Sequence, residues 1–430
     1  MTPSRQIALA AVVAAVAALL AGCGGDAEHQ AAVPPQQPPV AVTPPTTSPH
    51  PPDAPPAPPT PVTQLVELSS SVQGMESIAF HNGAAFVSLA NSSKDGTSVL
   101  KAGLPLANAS WAPLNLGKCA IGKTGASSPA TRAPTLKAVN GSLWMLQRSD
   151  ANDEHSLCEI DDQSASFAPR DAGLLDCNTF FCVTMSPTDI KLADNRLMLN
   201  AGGGENVQVS EDRGATWRAL TGALTSQACY EARFEVIGDR LLVGGECPLD
   251  SAYLRAYQLT PATLQLLSPQ PLPVALPDLE NRNIQFIEHV PNTNRVFVGV
   301  EGGLMRSEDG GKSFTYVIHQ PLGQPEIVPV RVAEEAAQYP YIWRFLSPAN
   351  QPDVIVVAGF DKPNTRPYLA WSADGGQTWT DLSSKLPGFS ARTGGQVTAL
   401  VEGPQGQLLL TVNEEPDAKG HLMQLTLGKP

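Results

Sequence analysis

Two short stretches of this chain set an arginine beside aromatic rings. Tyr230, Glu231 and Arg233 form one, and Tyr341, Trp343 and Arg344 the other. A third arginine, Arg331, stands near Glu334 and Glu335 in the stretch that leads to the second cluster. Arginine presents a rigid fork of donors that suits carboxylates, and an amphipathic ring beside it adds contact area at little entropic cost. These residue types suit contact with a protein or a glycan. The same rings would serve equally to cover the side of a sheet. Hydrolysis would need carboxylates as well, with Glu231 or Glu288 as the acid, and such pairs meet in space rather than in sequence.

Other chemistries leave weaker traces. His81, His155, His289, His319 and His421 are far apart, with no HxH or HExxH spacing, so they read as single turn or surface histidines. Gly202-Gly203-Gly204 lacks the Gly-Lys-Ser/Thr of a phosphate loop, and no serine sits in a Gly-x-Ser-x-Gly elbow. No metal and no cofactor is expected. With 28 Lys and Arg against 41 Asp and Glu, the formal charge is -13. That balance excludes nucleic acid as a partner, because phosphate backbones need basic stripes.

The elements that must carry these residues are β-hairpins. Seven segments of alternating apolar residues fold back on themselves: 77–89, 136–147, 190–201, 234–245, 284–300, 345–359 and 397–412. Many centre on turn pairs such as Asn82-Gly83, Asn140-Gly141 and Asp194-Asn195. A large apolar landmark follows at 111, 167, 217, 264, 314 and 379, at intervals of 56, 50, 47, 50 and 65. Repeats near 50 residues point to an all-β, seven-bladed propeller, with six or eight blades as alternatives. The longest interval implies an insertion, placed at 320–343. The last repeat lacks a fourth strand, and Thr63–Leu68 is the segment expected to supply it and close the ring. In such a ring Arg233 and Arg344 could face each other across the axis. Residues 62–430 would form this single domain, expected as a monomer.

Three of the landmarks end an octet: Ser210-Glu-Asp212-Arg-Gly214-Ala-Thr216-Trp217, Ser307-Glu-Asp309-Gly-Gly311-Lys-Ser313-Phe314 and Ser372-Ala-Asp374-Gly-Gly376-Gln-Thr378-Trp379. Each aspartate is expected to accept the amides of its own turn, and each second glycine or its equivalent to supply a positive φ. These segments resemble Asp-boxes, the BNR repeats of sialidase-like β-propellers, at every position of the pattern. The resemblance implies the fold, and turn-making rather than catalytic aspartates. It also raises an exo-sialidase-like glycoside hydrolase with an axial, arginine-lined pocket as the alternative to a non-catalytic binding or assembly propeller. That family uses three arginines, a tyrosine nucleophile paired with glutamate, and an aspartate. Its early Phe/Tyr-Arg-Ile-Pro motif is missing, since the first hairpin begins Met75-Glu-Ser-Ile-Ala-Phe80.

The start of the chain reads as an address. Arg5 precedes an apolar stretch from Ile7 to Leu20, too short to span a bilayer stably. Leu20-Ala21-Gly22-Cys23 resembles the bacterial lipobox, which implies a signal peptide over 1–22 and a palmitoylated, diacylglyceryl-modified Cys23 at the mature end. With Gly24 rather than Asp next, the resemblance leans toward the outer membrane of a cell envelope, with the domain in the periplasm or outside. In 34–61, 14 residues are proline, so 23–61 reads as a lipid-to-domain tether that forms no core. The partners expected are the membrane, through the lipid, and an envelope protein or glycan. Six cysteines remain, and in an exported chain an even number reads as disulfides. Nearest neighbours suggest Cys119–Cys158, Cys177–Cys182 and Cys229–Cys247 among fifteen pairings.

Overall fold

Each expected hairpin is the inner half of a four-stranded antiparallel sheet, and seven such sheets make the ring. The computed structural model describes residues 63–428 apart from 72, 91–97, 121–132, 148–154, 172–173, 178–181, 185–186, 202–206, 221–229, 247–251, 261–262, 278, 280–282, 320–339, 363, 387–394 and 415–418. They belong to one unit, Pro58–Pro430; the other unit, Met1–Ala57, lies outside the described residues, as do Cys23 and the tether.

From the axis outward, blade one is β2 (Met75–His81), β3 (Ala84–Leu89), β4 (Val99–Gly103) and β5 (Ala112–Pro113). Blade two is β6 (Thr135–Val139), β7 (Ser142–Leu146), β8 (Leu157–Asp161) and β9 (Ser166–Pro169). A small hairpin, β10 (Leu175–Cys177) and β11 (Cys182–Thr184), precedes blade three, which is β12 (Pro187–Ala193), β13 (Arg196–Ala201), β14 (Val207–Ser210) and β15 (Arg218–Ala219). Blade four is β16 (Tyr230–Ile237), β17 (Arg240–Glu246), β18 (Tyr253–Thr260) and β19 (Gln265–Leu266). Blade five is β20 (Ile284–His289), β21 (Val296–Val300), β22 (Gly303–Ser307) and β23 (Thr315–Ile318). Blade six is β24 (Pro340–Leu346), β25 (Ile355–Asp361), β26 (Arg366–Ser372) and β27 (Thr380–Asp381). Blade seven joins β28 (Gln396–Glu402), β29 (Leu408–Asn413) and β30 (Gly420–Thr426) to the N-terminal β1 (Gln64–Ser71).

The ring is therefore closed by the first strand on the last, with Gln64 opposite Thr426 and Ser71 opposite Gly420. Closure removes the unpaired edge that blade seven would otherwise expose. Two side chains clasp the seam. His421 Nδ1 lies 3.1 Å from Glu67 of β1 and its Nε2 lies 2.9 Å from Glu414. Trp111 donates its indole N–H to Ser69 at 3.1 Å. His421 and His81 are buried, at 7% and 9% exposure, which corrects their reading as surface residues. His81 pays for its burial with a carboxylate partner, Asp162, at 2.8 Å.

The core is divided among the seven blade interfaces, one apolar cluster in each. The second strands show why. In β17, Leu241 and Val243 pack toward blade three while Leu242 packs toward blade five. In β21, Val296 and Val298 face blade four and Phe297 faces blade six. A strand buried on both faces reads as a continuous apolar run rather than an alternating one. Cys119 and Cys158 form a disulfide with Cα atoms 6.4 Å apart, tying the end of blade one to β8 of blade two.

The octets occupy the connections between third and fourth strands of blades three, five and six. In each, Ser Oγ donates to Asp Oδ1 at 2.7 or 2.8 Å and accepts the amide of Gly214, Gly311 or Gly376 at 2.7–2.9 Å. The amides of Thr216, Ser313 and Thr378 donate to the same carboxylates at 2.8, 2.9 and 2.9 Å. The hydroxyl and amide of Thr216, with Ser210, hold Asp212 down at about 2. Slight burial pushes Asp309 and Asp374 upward, but the donors of Ser313 and Thr378 outweigh it and both also sit at about 2. The octet glycines reach across an interface. A Cβ at Gly214, Gly311 or Gly376 would lie 2.6, 2.6 or 2.8 Å from Trp144, Leu242 or Phe297, each on the second strand of the preceding blade. Arg306 completes one such junction by donating to the Gly375 carbonyl at 3.2 Å.

Candidate functional site

Inner strands decide what faces the axis, and six of the seven depart from regular pairing near their start. Register shifts fall between Met75 and Ser77, Pro187 and Asp189, Tyr230 and Arg233, Ile284 and Phe286, Ile342 and Arg344, and Val397 and Ala399. Each is a β-bulge: one residue more than its partner strand, which re-aims a side chain. In blades one, three, five, six and seven the extra residue is Glu76, Thr188, Gln285, Trp343 and Thr398, and all five line an axial cavity of 1610 Å³.

Charged groups form the next layer of the wall. Lys137 of blade two pairs with buried Asp189 of blade three. Lys191 of blade three lies 2.9 Å from Glu235 of blade four and 3.0 Å from Glu288 of blade five, and donates to the Ile287 carbonyl at 2.7 Å. Burial works against its charge, but Glu235, Glu288 and Asp189 prevail and hold the ammonium well above its usual range. Burial likewise works upward on Asp189, and Lys137 and Lys191 bring it below the usual carboxylate range. For Glu288 burial prevails and its carboxyl is pushed up.

Two of the three sequence-predicted arginines, Arg233 and Arg344, line this cavity. Arg233 donates Nε to the Gln285 carbonyl at 2.9 Å, and Arg344 donates Nε to the Thr398 carbonyl and Nη1 to the Trp343 carbonyl at 2.9 Å. Burial brings Arg344 down to about 10, with Glu76 opposing the shift and Arg233 adding to it, so it stays charged at neutral pH. Each arginine thereby also fastens its blade to the next. Trp343 does the same through its indole N–H on the Val397 carbonyl, at 2.8 Å, and Ser77 and Thr398 extend the pattern to the Leu136 and Met75 carbonyls.

Trp343 stacks on Phe360 at 6.4 Å and meets Tyr341 edge-on at 6.5 Å. Both rings lie on the inner strand β24, not in an insertion ending at Trp343; the bulge interrupts the alternation of Ile342, Trp343 and Arg344 and conceals the strand's first half. Tyr230 and Glu231 lie on β16, with side chains outside the described ones, and Arg331 lies outside the described residues. Among the described lining residues there are two arginines and no tyrosine, so the glycosidase constellation that the resemblance implies is not assembled there. Lys137, Asp189, Lys191 and Gln285 are cavity residues that sequence reasoning missed. Their only signal was a polar residue on an inner strand, which periodicity alone assigns to solvent. Among the described residues no group of three His, Cys, Asp or Glu could hold a metal ion.

No protein-family model matches the chain, and no curated protein matches it. Among solved structures, it is similar to the extracellular domain of a hybrid two-component system from B. thetaiotaomicron, at 12% identity and a TM-score of 0.49, over 83% of this chain and 40% of that one. A second such domain from the same organism gives 8% identity and a TM-score of 0.46, over 84% and 39%. The chain thus spans about two fifths of the length of each.

Proposed function

We propose that this chain is a non-catalytic binding module of the bacterial cell envelope that takes a protein or glycan ligand in its axial cavity. The observation that carries this reading is the cavity itself. Its 1610 Å³ exceed the about 300–1,000 Å³ usual for small-molecule pockets, and bulges on five of its inner strands turn side chains into it. On this reading residues 1–22 are removed, Cys23 carries the lipid, 23–61 hold the propeller away from the membrane, and the octets are Asp-boxes that weld blades together. Arg233, Arg344 and Trp343 are the contact residues, working as a monomer.

The test uses the full-length chain, wild type and Thr135→Trp. Thr135 is an exposed residue of β6 that lines the cavity, so the indole would intrude on the blade-two side of it without disturbing a core position. Retention of an envelope protein or glycan by the wild type alone, with no product released from a panel of sialosides and other glycosides, supports the reading. Turnover abolished by Arg233→Ala or Arg344→Ala would overturn it in favour of a glycoside hydrolase. Equal retention by Thr135→Trp, Arg233→Ala and Arg344→Ala alike would remove the ligand from the axis. Labelled palmitate on the wild type and none on Cys23→Ser tests the anchor.

A further inference from the structure

We propose that the bulge layer is a saccharide-reading surface, with Gln285 and Trp343 as its specificity-determining contacts and an uncharged oligosaccharide as its ligand; this rests on the axial-cavity reading. Three observations converge on it.

The first is placement. The inner strands bulge at equivalent positions in six blades although the residues differ in type, and where the extra residue is described it lines the cavity. Five side chains from separate blades, Glu76, Thr188, Gln285, Trp343 and Thr398, thereby stand in one layer around the axis. Regular pairing, as in blade two, would have sufficed to build the ring.

The second is chemistry. The layer holds the Glu76 carboxylate, the Thr188 hydroxyl, the Gln285 amide and the Trp343 indole, while the Thr398 hydroxyl is buried and already donated to the Met75 carbonyl. Sugars present hydroxyls that both donate and accept, and apolar C–H faces that lie against aromatic rings. An amide offers both a donor and an acceptor to such a hydroxyl pair, and the Gln285 side chain makes no hydrogen bond among the described residues, its backbone carbonyl alone being taken by Arg233. Trp343 is partly buried and held in place by Phe360 and by the Val397 carbonyl, so its ring meets a ligand at little entropic cost.

The third is charge. Lys137, Lys191, Arg233 and Arg344 in the lining are matched by Glu76, Asp189, Glu288 and Glu402. Lys137 and Lys191 are spent on Asp189 and Glu288. The wall therefore attracts neither a polyanion nor a polycation, which favours an uncharged ligand over an acidic one. Its volume suits several sugar units rather than one.

The experiment titrates short neutral oligomers of glucose and of N-acetylglucosamine into the full-length chain, read by calorimetry and by tryptophan fluorescence. Wild type is expected to bind at least one series, Gln285→Ala to bind it about tenfold more weakly, as loss of one hydrogen-bonding side chain predicts, and Thr135→Trp to bind it more weakly than wild type. Gln285→Ala leaves the backbone carbonyl for Arg233, so the blade junction survives. Trp343→Phe is expected to lose the fluorescence response. Binding weakened by Thr135→Trp but unchanged in Gln285→Ala and Trp343→Phe would sink the bulge-layer inference and leave the axial reading standing. Binding unchanged in Thr135→Trp, Gln285→Ala and Trp343→Phe alike would sink the axial reading itself. Absence of binding to every neutral oligomer, or capture of a protein instead in a Gln285-dependent manner, would overturn the saccharide class.

Discussion

The octet glycines make a quantitative test of how the ring is welded. Gly376 has φ +84, and a Cβ there would lie 2.8 Å from Cε1 and Cζ of Phe297. Alanine in the left-handed region costs about 1 kcal/mol. The clash adds to this, since carbon atoms settle about 3.5–4 Å apart. Phe297 is fully buried and packed against Phe345 at 5.2 Å, so it has nowhere to move. Overpacking of such a site costs about 1–3 kcal/mol. Gly376→Ala should therefore destabilise the domain by about 2–4 kcal/mol. Gly141 is the control: its φ is +76, but nothing lies within 4 Å of its Cβ position, so Gly141→Ala should cost only the conformational part, about 1 kcal/mol. Urea denaturation of both variants, with the Cys119–Cys158 disulfide intact, measures the difference. Equal losses would refute the claim that the octet is an interface element rather than a local turn.

Three further outcomes follow from the same structure. The octet carboxylates sit at about 2, below the usual 3.8, so the stability they contribute is present above about 3.8 and lost as pH falls toward 2; Asp374→Asn should flatten that part of the stability profile in acid denaturation and leave the rest parallel to wild type. Lys191→Met would leave Asp189, Glu235 and Glu288 facing one another without their shared cation, at a cost of about 3–5 kcal/mol at neutral pH, partly recovered by adding Glu288→Gln; denaturation of the single and double variants decides, and no recovery would mean the three carboxylates do not act as one cluster. In the β10–β11 ladder Cys177 stands opposite Cys182. Non-reducing peptide mapping should recover Cys177 and Cys182 in one cross-linked species, and two alkylated free thiols there would exclude the bond.

Local chemistry was enough to announce the ring. Asn82-Gly83, Asn140-Gly141 and Asp194-Asn195 adopt positive φ because short polar residues and glycine tolerate it, and that turn chemistry is written in adjacent residues. The octets are equally local, since Ser210, Asp212 and Thr216 bond within their own turn. Counting strands against landmarks was sufficient to assign the closing strand to the N terminus, and neighbouring cysteines in an exported-type sequence suggested Cys119–Cys158. What the sequence could not disclose is what stands beside what across the axis. Lys191 reaches the Ile287 carbonyl over a separation of 96 residues, and Arg344 reaches Thr398 over 54. Such contacts depend on the rotation from each blade to the next, which no single segment encodes. The bulges belong to the same class. An extra residue at Trp343 or Gln285 is defined only against the partner strand, and it breaks the alternation by which strands are read. The sequence by itself determined that the chain builds blades, and pointed to seven of them closed by an N-terminal strand, because these rest on turns and periodicity; the structure settled seven over six or eight. Only the tertiary structure decided which side chains share the cavity, because that depends on register between strands and on packing between sheets.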